Sequence, residues 1–497
     1  MEKFWAFLCE KFEEARRDTY AISVCPAFFV FFGLYTLALG GVESGGTGLL
    51  HLLCSVLILT LCLVVATSRL HYRSEFTVTI LVLLVLFLGM VRVANYIEVR
   101  YEAKGDVQSL NREVVTLSSR RKWGRAEALV FKRDGGDRFV YYNWDGDDTD
   151  YLVGASYTVT GLCQPFRERK NSSTFDEWKF WQSRGVSSCF IKRGEIIPTL
   201  PPSGIFALRQ FLGEKINSCL LEKSQGYMKI FLLGEKQQKF EGLYKEIGVV
   251  HILSISGLHV ALLLALLCFI VKNKFLRFYL GTFLLWGFVY MVGCPVSAVR
   301  SGIMAQALLL SLIFDLPRSS INAVCLAACL IILANPFCVV DVGFTLSFVC
   351  VLFLSTAPVG YDWNILSCCT LNALIWVVTA PILAHFFKAV PISAIIGNIF
   401  ILPVFGIVFP LAIVLCLCSF VFPFLFPQVL EALLASFENL AELLGKFPAM
   451  TVCKTGFLTF CAAFIFFWCL FRRLTENKAK STALALGFSV VTLVIFG

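Results

Sequence analysis

Two of the chain's five histidines, His251 and His259, stand in HILSISGLHV and bracket Ser254, Ser256 and Gly257. Imidazole can pass protons, ligate a metal or add polarity to a wet path through a membrane. A metal site needs three or four ligands, and this pair offers two. A serine beside a histidine can also be a nucleophile beside its base, but no acid–His–nucleophile order is visible. On a regular helix, eight positions make ~12 Å of rise and roughly 80° of rotation, so the polar groups would not form one stripe. Gly257 among polar neighbours therefore reads as a break or close-packing point. Such breaks are tolerated at membrane depth where backbone lines a cavity or is buried in protein.

Further polar residues interrupt apolar runs downstream. Arg300 follows Pro295 and Ser297 and precedes Gly302 and Gln306. It either reaches the outer headgroups or faces phosphate in a water-filled path, where a guanidinium fork suits phosphate oxygens. Ser347 in GFTLSF and Asn398 in IIGNIF lie among small residues, which serve close helix packing or line the same path. Asp341 reads as a helix-start acid. Upstream, Lys132, Arg133, Arg138, Tyr141, Tyr142 and Trp144 combine cations with aromatic rings, the chemistry that binds single strands. Alternating aromatics also build cores, and Asp145, Asp147, Asp148 and Asp150 beside them repel phosphate.

The elements that must hold these residues are mostly membrane helices. The chain has 497 residues, 58% hydrophobic and 15% charged, against roughly 25% charged in soluble domains. Its long apolar runs are continuous, not alternating, and so read as helices. The net charge of +9 fits positive cytoplasmic loops without requiring nucleic acid. Most of the 20 cysteines lie in apolar segments as small hydrophobes, and no CxxC pair points to zinc or redox chemistry. Cys163, Cys189 and Cys219 lie outside those segments, and their pairing stays open. No cleavable signal peptide is evident.

Residues 1–94 read as a charged cytoplasmic lead and three spans, near 20–40, 49–68 and 76–94. The cationic connection RLHYRSE places the N-terminus inside and the next region outside. Residues 95–200 change character. EALVF and RFVYYNW flank Asp134-Gly135-Gly136-Asp137, a hairpin signal. YLVGASYTVTG adds a strand, and DEWKFWQSRG reads as a short helix. A small all-β barrel follows from this pattern. Residues 201–248 hold a Pro-rich linker and an amphipathic helix over 205–223. Residues 249–497 return to spans, near 250–271, 275–293, 297–314, 320–335, 343–358 and 364–387. Pro403 and Pro410 predict two broken segments in 391–422. An amphipathic helix over 427–448 and spans at 455–471 and 481–496 follow. The expected fold is thus a polytopic α-helical membrane protein of about 11–13 spans with an inserted extracytoplasmic all-β domain.

The sequence resembles the ComEC family of bacterial competence proteins. The match starts at LLGEKQQ (232–238) and VVHILSISGLHVALL (249–263). It continues through SAVRSGIMAQ (297–306), LANPFCVVDVGFTLSF (333–348) and APILAHFFKAVPISAIIGNIFILPVFGIVFPLA (380–412). GASYTVTGLCQPF and NSSTFDEWKFWQSRGV resemble the family's extracytoplasmic OB-like domain, with Ser172 and Ser173 where glycine is usual. The resemblance implies a bacterial inner-membrane, multi-pass channel that imports single-stranded DNA during natural transformation. It also implies a separate cytoplasmic motor and an extracytoplasmic DNA receptor as partners. Consistently, no GxxxxGK[ST] motif is found.

Longer relatives carry a C-terminal metallo-β-lactamase-like domain. No histidine follows His385, so no HxHxDH-type cluster is present, and a member lacking that domain is expected. On this reading the protein is not an enzyme, with no catalytic residue, metal or cofactor. The residues expected to line the channel are His251, Ser254, Ser256, Gly257, His259, Arg300, Ser347 and Asn398. Those expected to meet DNA on the OB-like domain are Lys132, Arg133, Arg138, Tyr141, Tyr142 and Trp144. An ion-coupled small-molecule transporter with midplane sites and a membrane-embedded enzyme of envelope metabolism are the alternatives. Association of further copies into a homo-oligomer stays open.

Overall fold

The computed structural model describes residues 107–144, 151–166, 176–235, 237–314, 320–356, 365–387, 390–446 and 451–452, with scattered positions in 31–39, 88–98 and 462–469 and residue 485. The charged lead, the spans expected near 49–68 and 481–496, and most of those near 20–40, 76–94 and 455–471 lie outside the described residues. The chain divides into two compact units, residues 26–212 with 328–344, and residues 1–25, 213–327 and 345–497.

In the first unit, six strands form one sheet: β1 (Gln108–Trp123), β2 (Ala126–Lys132), β3 (Arg138–Asn143), β4 (Ser156–Gln164), β5 (Ser188–Lys192) and β6 (Ile197–Leu200). Their order is β1-β2-β3-β5-β4-β6, and β1 also pairs with β4, which closes five strands into a ring. The pairs are antiparallel except β3–β5, which is parallel. Closure requires one strand to bend. β1 does so at two register shifts, between Leu110 and Glu113 and between Leu117 and Ser119. At the first, Arg112 adopts φ 49° and its amide donates to Thr160 Oγ1 (3.2 Å).

β4 alternates buried and half-buried along SYTVTGLCQ, the period-two pattern of a strand with one face in the core. Phe131, Phe139, Tyr141, Tyr157 and Phe190 fill the barrel. The expected hairpin forms, with Arg133 and Gly136 hydrogen-bonded across the turn and Gly136 at φ 92°. The expected strand at Tyr151 starts later, at Ser156. Gly154 takes a turn at φ 89°, and a Cβ there would overlap the Phe206 side chain.

Between β4 and β5, α1 (Glu177–Gln182) is capped by Asp176, whose Oδ1 accepts from the Lys179 amide (3.0 Å). The β2–β3 ribbon is buried on both faces: Ala128, Val130 and Val140 are about as enclosed as Phe131 and Phe139, and α1 meets it where Trp181 packs on Tyr142. Sequence alternation alone would have left one of those faces wet.

Helices dominate the rest. α2 (Ile205–Cys219) is followed by α3 (Glu222–Leu233) and α4 (Gln238–Glu246), then α5 (Gly257–Ile270), α6 (Lys274–Met291) and α7 (Val296–Ile313). α8 (Ser320–Ala334), α9 (Val342–Thr356), α10 (Ile365–Phe387), α11 (Ser393–Val421) and α12 (Phe426–Gly445) complete the described set. Three of them, α7, the 369–387 stretch of α10, and α11, are long and apolar enough to cross a membrane, while α5, α8 and α9 are shorter apolar helices. A two-residue bridge joins β7 (Val390–Pro391) to β8 (Thr451–Val452).

Two expectations about the spans change. The segment 391–422 is not broken: α11 runs 29 residues through Pro403 and Pro410. Each proline removes one amide donor and crowds the carbonyl four residues back. Neighbouring helices make that tolerable, and α11 packs against α3, α5, α10 and α12. The span expected from 250 starts as a helix only at Gly257, for reasons that belong to the site.

α3 has Leu221 at its N-cap, which supplies no side-chain acceptor. Glu431 of α12 takes that role, accepting from the amides of Lys223 (3.3 Å) and Ser224 (2.9 Å) and from the Ser224 hydroxyl. Lys223 pairs in turn with Glu438 (2.6 Å). Two carboxylates of α12 thus serve α3, Glu431 at its N-terminal amides and Glu438 at Lys223.

Candidate functional site

The start of α5 is set by its own side chains. Ser256 is extended (φ −124°, ψ 175°), and its Oγ accepts from the Leu258 amide (3.3 Å). His259 completes a capping box by accepting the Ser256 amide on Nδ1 (3.2 Å). Glu or Gln normally holds that third helical position. With Nδ1 as acceptor, a neutral ring carries its proton on Nε2. His259 is fully enclosed, and Nε2 has no hydrogen-bond partner. Its ring meets Phe405 and Phe409 edge-on at 5.1 and 4.7 Å, with Phe231 at 6.1 Å. An imidazole in this setting locks the helix start and is shielded by aromatic faces.

α7 supplies the other side. Ser297 Oγ donates to the Ile255 carbonyl (2.6 Å), and Ser301 Oγ donates to the Ser297 carbonyl (2.8 Å). A Cβ on Gly257 would stand 2.9 Å from Ser301 Oγ and 3.6 Å from Arg300 Nη2. Glycine is therefore what lets α5 start against α7. Arg300 is 5% exposed. Its Nη1 donates to the Ser347 carbonyl of α9 (3.2 Å), its Nη2 lies 3.5 Å from Ser301 Oγ, and its guanidinium centre is 5.7 Å from the Phe348 ring. Nε has no partner, and among the described residues no carboxylate pairs with Arg300. An arginine at membrane depth costs about 2.5–3.5 kcal/mol on insertion scales.

Of the residues singled out in sequence, Ser256, Gly257, His259 and Arg300 come together here, with Ser347 contributing its carbonyl. His251 and Ser254 sit just ahead, His251 exposed and Ser254 Oγ donating to the His251 carbonyl (2.9 Å). Asn398 is half-buried on α11, and its Oδ1 has no partner. In the sequence Ser297 figures only as a neighbour of Arg300, and Ser301 is not singled out. Their spacing of four on the face that carries Arg300 was the available signal.

The six barrel residues do not share a face. Lys132 and Arg138 are exposed partners across β2–β3 at the hairpin end. Arg133 is held by Glu113 (3.2 Å) and Gln108 (2.8 Å). Tyr141 is core. Tyr142 donates to Glu177 Oε1 (2.5 Å) and accepts from Trp181 Nε1 (2.6 Å). Burial first, then the Glu177 carboxylate, pushes its phenol well above the usual tyrosine range. Trp144 is 64% exposed. Tyr142 bridges Trp144 to a partly covered cluster with Trp123 and Trp181.

A second constellation escaped sequence reading altogether. Arg184, after α1, pairs with Asp341 Oδ2 (2.8 Å) and lies over the Phe180 ring at 3.7 Å. Asn335 Nδ2 donates to the carbonyls of Gln182 and Ser183, both at 3.0 Å, and Trp178 meets Phe337 edge-on. Asp341 Oδ1 also accepts the Phe344 amide (3.2 Å) and so caps α9. The motifs DEWKFWQSRG and NPFCVVDVG are thus one docking contact within the barrel-containing unit.

An apolar helical assembly with enclosed polar groups, joined in sequence to a small β-barrel, defines a membrane protein with an inserted β domain. A family model described as "Competence protein" matches residues 231–476. The chain is 30% identical over 151 residues to "ComE operon protein 3" of Bacillus subtilis, covering 29% of this chain and 20% of that protein. It is 27% identical over 184 residues to an uncharacterized protein of Mycoplasma pneumoniae, covering 36% of this chain and 48% of that one. The chain thus spans less than half the length of either curated relative. No solved structure matches. Residues 231–476 thus match the competence protein family, and this region contains α5, α7, α9 and α11 with their polar cluster.

Proposed function

We propose that the chain is a multi-pass channel of the bacterial inner membrane that passes single-stranded DNA inward during natural transformation. The observation that carries this reading is the polar cluster of Ser256, Gly257, Arg300 and Ser301, the last two enclosed, within the helices that the competence family model covers. A strand with one charge per phosphate needs polar groups along its path. His251, Ser254, His259, Ser347 and Asn398 belong to the same path on this reading, with His259 holding the helix start. The about 11–13 spans expected from ~20-residue windows, with the N-terminus cytoplasmic, give the assembly its crossings.

The five-strand closed ring supports an OB-like character for the barrel, placed on the extracytoplasmic side. Trp144, Tyr142, Lys132 and Arg138 are its stacking and cationic groups for an arriving strand. The chain acts as a conduit, not an enzyme. A separate cytoplasmic motor pulls the strand, and an extracytoplasmic receptor delivers it. The boundaries 1–94, 95–200, 201–248 and 249–497 divide lead and first spans, barrel, linker and channel.

The test is transformation of a strain deleted for this gene. Restoring the chain should restore transformants, and Trp144→Ala should lower their frequency at equal membrane abundance. Full transformation in the deleted strain would remove the proposal.

A further inference from the structure

We propose that Arg300 and the N-terminus of α5 together form an oxyanion site that takes one phosphodiester group of the passing strand, an assignment that rests on the channel reading above. The helix dipole favours an anion at a helix start, and of the first α5 amides those of Leu258 and His259 are taken by Ser256, which leaves that of Gly257 without a partner among the described residues. Gly257 opens α5 without a side chain and is half-buried, so one side of that terminus is uncovered. Arg300 stands over it, with Nη2 3.6 Å from where a Cβ would lie.

The second observation is the arginine itself. It is 95% enclosed, lacks a carboxylate partner among the described residues, and has an unsatisfied Nε. The Ser347 carbonyl and Ser301 hydroxyl are neutral, and Phe348 is a weak partner at 5.7 Å. A cation enclosed with neutral groups alone is unbalanced, and a transient anion balances it. A guanidinium beside the Gly257 amide matches the oxygens of a phosphodiester. A permanent carboxylate would bind more tightly and would keep the strand out. A lipid headgroup phosphate presents the same oxygens.

The test uses the full chain in maltoside micelles with a fluorescent oligothymidylate, reading anisotropy across a salt series. Arg300→Gln should weaken binding about tenfold at low salt and lower the log–log salt slope by about 0.7, one phosphate of a single strand. Arg300→Lys should keep the slope. Gly257→Ala keeps the arginine but puts a methyl into the site, and should weaken binding also. A charge-free methylphosphonate oligothymidylate should show no difference between wild type and Arg300→Gln. Thermal melting confirms folding and supplies the lipid arm. If short-chain phosphatidylglycerol stabilises the wild type but not Arg300→Gln, while the oligothymidylate slopes coincide, the phosphate belongs to lipid and the assignment to the strand is overturned. Folded Arg300→Gln and Gly257→Ala with wild-type affinity and slope would overturn the site while leaving the channel reading intact. Loss of oligothymidylate binding by the wild type itself would count against both.

Discussion

Asp341 does two jobs, and substitutions can separate them. Asp341→Asn keeps an acceptor for the Phe344 amide but removes the charge facing Arg184. Asp341→Ala removes both. The paired side chains are 13% and 29% exposed, so the pair lies between the surface and buried limits. Exposed pairs contribute about 0–1 kcal/mol, and breaking a buried pair costs about 3–5 kcal/mol. We therefore expect Asp341→Asn to cost about 2 kcal/mol, with a further ~1 kcal/mol for the lost cap in Asp341→Ala.

The assay is unfolding of the purified chain in maltoside followed by tryptophan emission, since Trp178 and Trp181 lie on α1 beside the contact. A double-mutant cycle with Arg184→Met isolates the ion pair and should give a coupling of about 1–2 kcal/mol. Coupling within about 0.3 kcal/mol of zero, or Asp341→Asn as stable as wild type, would refute the idea that Arg184 and Asp341 hold α1 to the start of α9.

Three further outcomes follow from the same structure. Glu431→Ala should destabilise the chain by about 1–2 kcal/mol in the same unfolding assay, and Glu431→Gln by less, because an amide oxygen still accepts from Ser224. Gly257→Leu should abolish transformation while reducing membrane-inserted protein only partly, as measured by quantitative blotting, because the added side chain meets Ser301 and Arg300. In a background without other accessible cysteines, an impermeant thiol reagent applied to cells with a permeabilised outer envelope should label Ser172→Cys but not Thr475→Cys. The reverse pattern would invert the topology drawn from RLHYRSE and FRRLTENKAK.

Much of the helical frame was legible because lipid imposes it. Runs such as 275–293 and 297–314 must be helical if they meet hydrocarbon, and α6 and α7 fall within two residues of those bounds. The Asp134–Asp137 hairpin was legible because φ > 0 at Gly136 is a local demand. The rest depended on partners distant in sequence. A proline signals a break, but α11 continues through Pro403 and Pro410 because surrounding helices support it. His259 read as a path-lining or helix-breaking imidazole, and nothing local showed that its Nδ1 serves a cap normally made by Glu or Gln. From sequence Tyr141 and Tyr142 could each meet a strand or build core, and the fold puts Tyr141 in the core and Tyr142 against Glu177. Arg184 and Asp341 carry no local sign of each other, since nothing in a single sequence couples residues so far apart. Only the fold brings those two motifs into contact.

The central claim is tested most directly by following the two strands of one DNA duplex, each with its own label, into living cells. In a strain carrying this chain, one strand's label should become resistant to external nuclease inside the cell while the other stays outside or is lost. That protection should vanish on deletion of the gene and fall sharply with Arg300→Gln at equal membrane abundance. Undiminished single-strand protection in the deleted strain, or entry of both labels as intact duplex, would contradict a channel for single-stranded DNA.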